Sequence, residues 1–245
     1  MNAPAPHTST TAPPSPIASA TLLGLVVAAT VALPLLPRLP LPTLGLPDPI
    51  GARVAYQLAA LVPTLVVLAA ARVVAPASVR LLRLGDPSAP VTPAPAVGLN
   101  PKPHETWRHI GRNFAIVLPA ITTIAVGLQV VRGNDITVGA ALAALPVAVV
   151  LSVLNAITEE LICRFGVLAA LLDRYGPRVA VGTSAVLFGA VHFVGVPGGI
   201  AGVALAGFLG WLLAKSIVET RGVFWALLLH TLVDIPIITA LLAVR

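Results

Sequence analysis

Residues 137–172 read TVGAALAALPVAVVLSVLNAITEELICRFGVLAALL, and their only charged side chains are Glu159, Glu160 and Arg164. A run this apolar exceeds the roughly 20 residues a helix needs to cross a hydrocarbon core. Ionisable groups at that depth cost roughly 2.5–3.5 kcal/mol each on insertion scales unless a partner or a water-filled cavity receives them. One stretch therefore points both to the fold class and to where the chemistry lies.

The rest of the chain repeats the pattern. Seven apolar stretches can be counted, at about 17–36, 53–74, 113–131, 137–158, 178–194, 199–218 and 222–243. Hydrophobic residues make up 57% of the chain and charged residues 10%, against about a quarter charged in a soluble domain. Lipid cannot satisfy exposed backbone groups, so the spans must be helices. The sequence predicts an all-α polytopic transmembrane bundle of about seven membrane helices, with an eighth crossing as the alternative. The first stretch has no basic residues ahead of it and is longer than a signal-peptide core, so it reads as a membrane helix. Cys163 is the only cysteine, which excludes an intrachain disulfide.

A net charge of +6 invites a nucleic-acid reading, but the distribution argues against it. Arg72, Arg80, Arg83, Lys102, Arg108, Arg112, Arg164, Arg174, Arg178, Lys215 and Arg221 fall towards one side of a seven-helix topology. Arg38, Arg53, Arg132 and Arg245 fall towards the other. By the positive-inside rule the amino terminus is cytoplasmic. The expectation is an integral membrane protein, of a bacterial plasma membrane by its Ala/Val/Leu/Arg/Pro-rich composition, with lipid as a partner and no nucleic acid.

Residues 1–16 carry no charged side chain and are rich in Pro, Ser, Thr and Ala, the composition of a disordered tail. Residues 17–136 are amino-terminal membrane helices with a Pro-rich loop at 76–112. In that loop 78–84 is expected on the membrane surface and 87–103 as an extended linker. Residues 33–49 alternate Pro with apolar residues, which suits a stiff extended connection. The chemistry-bearing motifs all lie in 137–245.

Those motifs have a helical geometry. Glu160 and Arg164 are four apart and share a face, as do Asn155 and Glu159, and His230 and Asp234. Taken singly, each has an ordinary structural reading as a salt bridge or a buried hydrogen bond; Phe188, four before His192, reads as packing. The turn residues of 173–178 make that segment a hairpin tip. Glu159 and His192 are each 14 residues from it, roughly 21 Å at 1.5 Å per residue, hence level with one another. His230 and Asp234 lie roughly 14 to 20 Å from Arg221. A surface helix at 161–172 is the other reading, and it would leave Glu159 at the interface. The hairpin requires the long run to bend or protrude, with Gly166 as the natural place.

Glu-Glu-x-x-x-Arg, Phe-x-x-x-His and His-x-x-x-Asp, in that order, resemble the motifs of the CAAX-prenyl-protease and bacteriocin-processing family of intramembrane proteases. The resemblance covers roughly Thr137 to the end. It implies Glu159, His192, His230 and Asp234 as catalytic residues that activate water for peptide hydrolysis. Glu160 and Arg164 would be the supporting pair, with Asn155 beside Glu159. Cys163 and Phe165 stand where many members have an aromatic residue and a glycine, and Asp234 stands where Asn is commoner. Neither departure removes a reactive group.

The resemblance implies an intramembrane endopeptidase acting on membrane-associated or lipidated peptides. A proton-coupled transporter and a non-catalytic immunity or scaffold protein are the alternatives; the inverted repeats of a transporter are not found. Members are classed as metalloproteases, although a metal-free glutamate mechanism is also argued for the fold. Glu159, His192 and His230 are the candidate zinc ligands, one carboxylate and two imidazoles. The same carboxylate cannot readily be both tight ligand and free base, so metal dependence stays open.

Overall fold

The computed structural model describes residues 13–129, 136–196 and 198–244. Among them are seven α-helices: α1 Pro16–Ala32, α2 Ile50–Val74, α3 Trp107–Gln129, α4 Val138–Glu159, α5 Val167–Val191, α6 Gly199–Thr220 and α7 Phe224–Ala243. Six continuous helical segments are long and apolar enough to span a membrane, the longest running from Val138 to Val194 through the α4–α5 hairpin. The exterior is apolar where lipid would meet it: Val62 and Leu65 on α2, Ile116 and Ile124 on α3, and Leu142 and Val150 on α4 are all exposed. An all-α membrane bundle is therefore what the chain forms.

The long hydrophobic run folds as a hairpin. A seven-residue π-helix, Glu160–Gly166, joins α4 to α5, and α5 breaks at Gly176 with φ of +80°. Glycine takes that left-handed conformation without a Cβ penalty, and Pro177 opens the second half of α5, where a missing N–H costs nothing. Val167, Leu168, Ala169, Ala170 and Leu171 are all buried, so 161–172 is an interior segment and not a surface helix.

The expected irregularity near Gly166 takes the form of the π segment. Its wider turn alters the carbonyl pattern, and the Ser184 hydroxyl on the returning arm donates to the Cys163 carbonyl at 2.8 Å. A Cβ on Gly166 would stand 2.7 Å from Val26 Cγ2 and 2.8 Å from Val67 Cγ1. Gly166 thus lets α1 and α2 close on the π segment. Gly166→Ala is expected to destabilise the bundle by about 1–3 kcal/mol through overpacking; a thermal midpoint equal to wild type would show that α1 and α2 yield freely.

Three expectations about connections are corrected. Residues 33–38 continue α1 as a 3₁₀ segment, Leu33–Arg38, because α1's last residue and its cap stay in the right-handed region. Ser15 caps α1, its hydroxyl accepting from Ala18 N–H at 3.2 Å, so the helix starts inside the segment read as tail. Residues 1–12 lie outside the described residues, as do Arg132 and Arg245.

The Pro-rich loop is not a free linker either. The Asp86 N–H donates to Thr220 O and the Val223 N–H to Arg83 O, both at 2.8 Å. The indole N–H groups of Trp107 and Trp225 donate to the Glu219 carboxylate (2.9 Å) and Pro87 O (3.0 Å). Arg80 pairs with Asp173 at 3.6 Å. The 76–112 loop, the 173–178 tip and the α6–α7 turn therefore meet at one end of the bundle. Two residues counted with that basic side sit within the fold: Arg164 is fully buried, and Lys215 on α6 pairs with Glu219.

Candidate active site

At the junction of α4 and the π segment, Glu159 and Glu160 leave the helix in different directions. The Glu159 side chain is 14% exposed and reaches a cavity of about 540 Å³; that of Glu160 is 2% exposed and points into the core. Glu159 is held from its own helix, with Asn155 Nδ2 donating to its Oε1 at 3.2 Å. The same amide donates its second N–H to Asp234 Oδ2 on α7 at 3.0 Å. The Asn155 oxygen in turn accepts from Gln57 Nε2 on α2 at 3.1 Å. One amide thus spaces two carboxylates that would otherwise repel each other, and a second amide orients it.

Glu160 does more than hold Arg164. Its Oε1 lies 3.3 Å from Arg164 Nε and 2.6 Å from His230 Nδ1. Arg164 is fully buried, and its guanidinium lies 3.5 Å from the Phe188 ring centroid, a cation–π contact in a dry setting. With Nδ1 held by Glu160, His230 turns Nε2 towards Glu159 Oε2 at 3.5 Å and Asp234 Oδ1 at 3.6 Å. Both separations exceed hydrogen-bond length. His230 and Asp234 therefore stand within ion-pair reach but not at hydrogen-bond length, because Glu160 and Asn155 claim the two groups from other elements.

His192 closes the far wall. It follows the last residue of α5, and its Nδ1 is 2.8 Å from the Phe188 carbonyl. A carbonyl can only accept, so Nδ1 carries the proton and a neutral ring keeps Nε2 as an acceptor. Phe188 is more than helix packing: its ring lies 4.3 Å from that of His192, tilted by 51°, and meets His230 edge-on at 5.7 Å. One aromatic side chain spaces both histidines and the arginine.

Glu159, His192, Asp234 and Asn155 line the same cavity; His230 and Glu160 stand behind that lining. Walls also come from the amino-terminal half, through Tyr56 and Gln57 of α2 and the 33–38 turn. Sequence reasoning missed these, placing the site wholly in 137–245. Gln57 left one trace, as the only amide in the apolar run 53–74. Arg38 and Val194, at the end of the bundle opposite the 173–178 tip, line the cavity and are exposed.

Among the described residues no group of three or more His, Cys, Asp or Glu side chains is placed to hold a metal ion. Of the proposed zinc ligands, His230 has Nδ1 committed to Glu160 and its ring behind the cavity lining. Glu159, His192 and His230 as arranged do not form such a group.

Residues 141–236, which contain all three motifs above, match the family model described as type II CAAX prenyl endopeptidase Rce1-like. This segment is similar to that family. No curated protein and no solved structure matches the chain. The match and the six helical segments long and apolar enough to cross a membrane together point to an integral membrane protein.

Proposed function

We propose that this chain is an intramembrane endopeptidase that hydrolyses a peptide bond of a membrane-associated or lipidated peptide. The observation that carries this reading is the convergence of Glu159, His192 and Asp234 on one cavity within an apolar bundle. Glu159 is the general base and takes a proton from a water that the His192 Nε2 lone pair orients. The water oxygen bonds to the carbonyl carbon, the C–N bond breaks, and the leaving amine takes the proton from Glu159. His230 and Glu160 act from behind the lining, as positioning residues for Glu159. Asp234 orients Asn155 and, through it, Glu159.

An apolar groove of about 440 Å³ between α2 and α4, lined by Val54, Leu58, Pro146 and Val150, shares Gln57 and Leu151 with the cavity. It supports a substrate with an attached hydrocarbon chain, which would lie beside the site while the peptide enters it. Incubating the purified protein with a lipidated peptide, and weighing the products, tests the reading. One new amine and one new carboxylate are expected, with the rate unchanged by a zinc chelator. Loss of activity on chelation, restored by zinc, would replace the metal-free route.

The amino terminus is proposed to be cytoplasmic, from the basic residues at the 76–112, 173–178 and 221 end. The exposed part of the cavity lining, Arg38 and Val194, then lies on the other side of the membrane. Reporter fusions after Arg83 and after Arg245 are expected on opposite sides, with Arg83 inside; Arg83 outside would reverse the orientation.

A further inference from the structure

Helix α7 carries His230 and Asp234, yet no side chain of its own caps its start. Val223 stands at the N-cap position and makes no side-chain capping bond, although the first N–H groups of a helix find no partner within it. The acceptors come instead from the loop between α2 and α3. The Val223 N–H donates to Arg83 O at 2.8 Å and the Phe224 N–H to Leu84 O at 3.4 Å. At the next residue the Trp225 indole N–H donates to Pro87 O at 3.0 Å. The start of α7 is thus held, residue by residue, by 83–87.

That stretch of loop is itself pressed against the α6–α7 turn. Gly85 has φ of +77°, and a Cβ there would stand 2.5 Å from Thr220 O and 2.7 Å from Gly222 N. A Cβ on Gly222 would stand 2.3 Å from Gly85 N. The two backbones approach this closely because both positions are glycine. Further along, the Glu219 carboxylate on α6 accepts from the Thr92 N–H at 3.3 Å and the Trp107 indole at 2.9 Å. The buried Trp225 ring also meets α3, where a Cβ on Gly111 would stand 2.4 Å from its Cε3. Loop, α6 turn and α3 together fix the height of α7 at this end.

His230 and Asp234 lie five and nine residues beyond Trp225, about 7.5 and 13.5 Å along the helix. At that height His230 Nδ1 meets Glu160 Oε1 at 2.6 Å, and Asp234 Oδ2 accepts from Asn155 Nδ2 at 3.0 Å. A misplacement of about 1 Å by a change far from the chemistry can cost about 10²-fold in rate. We propose that residues 83–87 form a clasp that sets the axial position of α7, with Gly85 and Trp225 as positioning residues for hydrolysis. The clasp rests on the peptidase reading for the activity it serves.

Gly85→Ala loosens the clasp from the loop side. Trp225→Phe removes the bond to Pro87 and keeps a ring against Gly111. Each is expected to lower kcat on a lipidated peptide by about 10–10²-fold, with KM within about twofold of wild type. The second readout does not need turnover. In protein labelled with ¹⁵N-histidine, the low-field Nδ1 proton of His230, assigned by its loss in His230→Gln, should shift or weaken in both variants. Arg80→Gln is the control, because it breaks the loop's pairing with Asp173 on α5; kcat and the His230 signal should stay as in wild type. Thermal melts identify a variant that misfolds, and Trp225→Phe, the milder change, carries the test if Gly85→Ala does.

Wild-type kcat in the folded variants would overturn the clasp, whether or not the His230 signal moves. A lower kcat with the signal unmoved would overturn it as well, since the loop would then act elsewhere than on α7. An equal loss in Arg80→Gln would mean general loosening of that end, and a rise in KM alone would assign the loop to substrate binding; either rejects the clasp. If the wild type cleaves nothing, the peptidase reading falls, and the clasp stands or falls on the His230 signal.

Discussion

Glu159→Gln is expected to lower the rate of peptide hydrolysis by about 10²–10⁴-fold, the usual contribution of a positioned general base, with little change in stability. The amide is isosteric with the carboxylate and keeps an oxygen to accept from Asn155 Nδ2, which lies 3.2 Å from Glu159 Oε1. It has no basic lone pair with which to take a proton from water. The side chain faces the cavity and shares His230 with Glu160, which is nearer (2.6 against 3.5 Å), so the fold depends little on its charge; removing that charge also relieves repulsion with Asp234. Rates on a lipidated peptide and thermal melts, measured side by side, check this. A Glu159→Gln variant that cleaves at the wild-type rate would remove Glu159 from the mechanism.

Glu160→Gln is expected to fail differently, losing stability as well as activity. Glu160 Oε1 faces both Arg164, which is fully buried, and His230. Removing one partner of a buried ion pair costs about 3–5 kcal/mol, because the other charge is left uncompensated. A second substitution tells the two roles apart. Glu160→Met combined with Arg164→Met removes both charges and should recover much of the stability, since an apolar pair is often no worse than a buried ion pair. Hydrolysis should stay low in the double variant, because nothing then holds His230 Nδ1 and Nε2 no longer faces Glu159. Thermal midpoints and kcat values of the single and double variants read the two effects separately. A Glu160→Gln protein as stable as wild type would show that the Arg164 charge is balanced by other means, the Phe188 ring being the first candidate.

The two glutamates illustrate how far local spacing reaches. Their separation from Asn155 and from Arg164 is four residues in each case, and both pairs form as helical geometry requires. His230 and Asp234 have the same spacing on α7 and stand 3.6 Å apart, within ion-pair reach but short of a hydrogen bond. The difference lies in what the neighbouring helices offer. Glu160 and Asn155 come from the α4 region and reach His230 and Asp234 at 2.6 and 3.0 Å. A pattern of four permits a contact along one helix; it carries no information about a stronger partner on another.

Membrane spans, the hairpin tip at Gly176 and the two pairs along α4 were determined by sequence alone, because hydropathy, glycine–proline punctuation and helical periodicity are local properties. The second partner of Glu160, His230 on α7, was decided by tertiary structure. The π segment that starts at Glu160 widens the turn and shifts the helical phase for the residues after it, so a regular helical wheel misplaces the faces of 161–166. The amino-terminal walls of the site, from Arg38 to Gln57, were likewise invisible, since nothing in a hydrophobic run states which helix it will pack against. What brings them to Glu159 is the close approach of α1 and α2 over Gly166, where the absence of a single Cβ leaves room for Val26 and Val67.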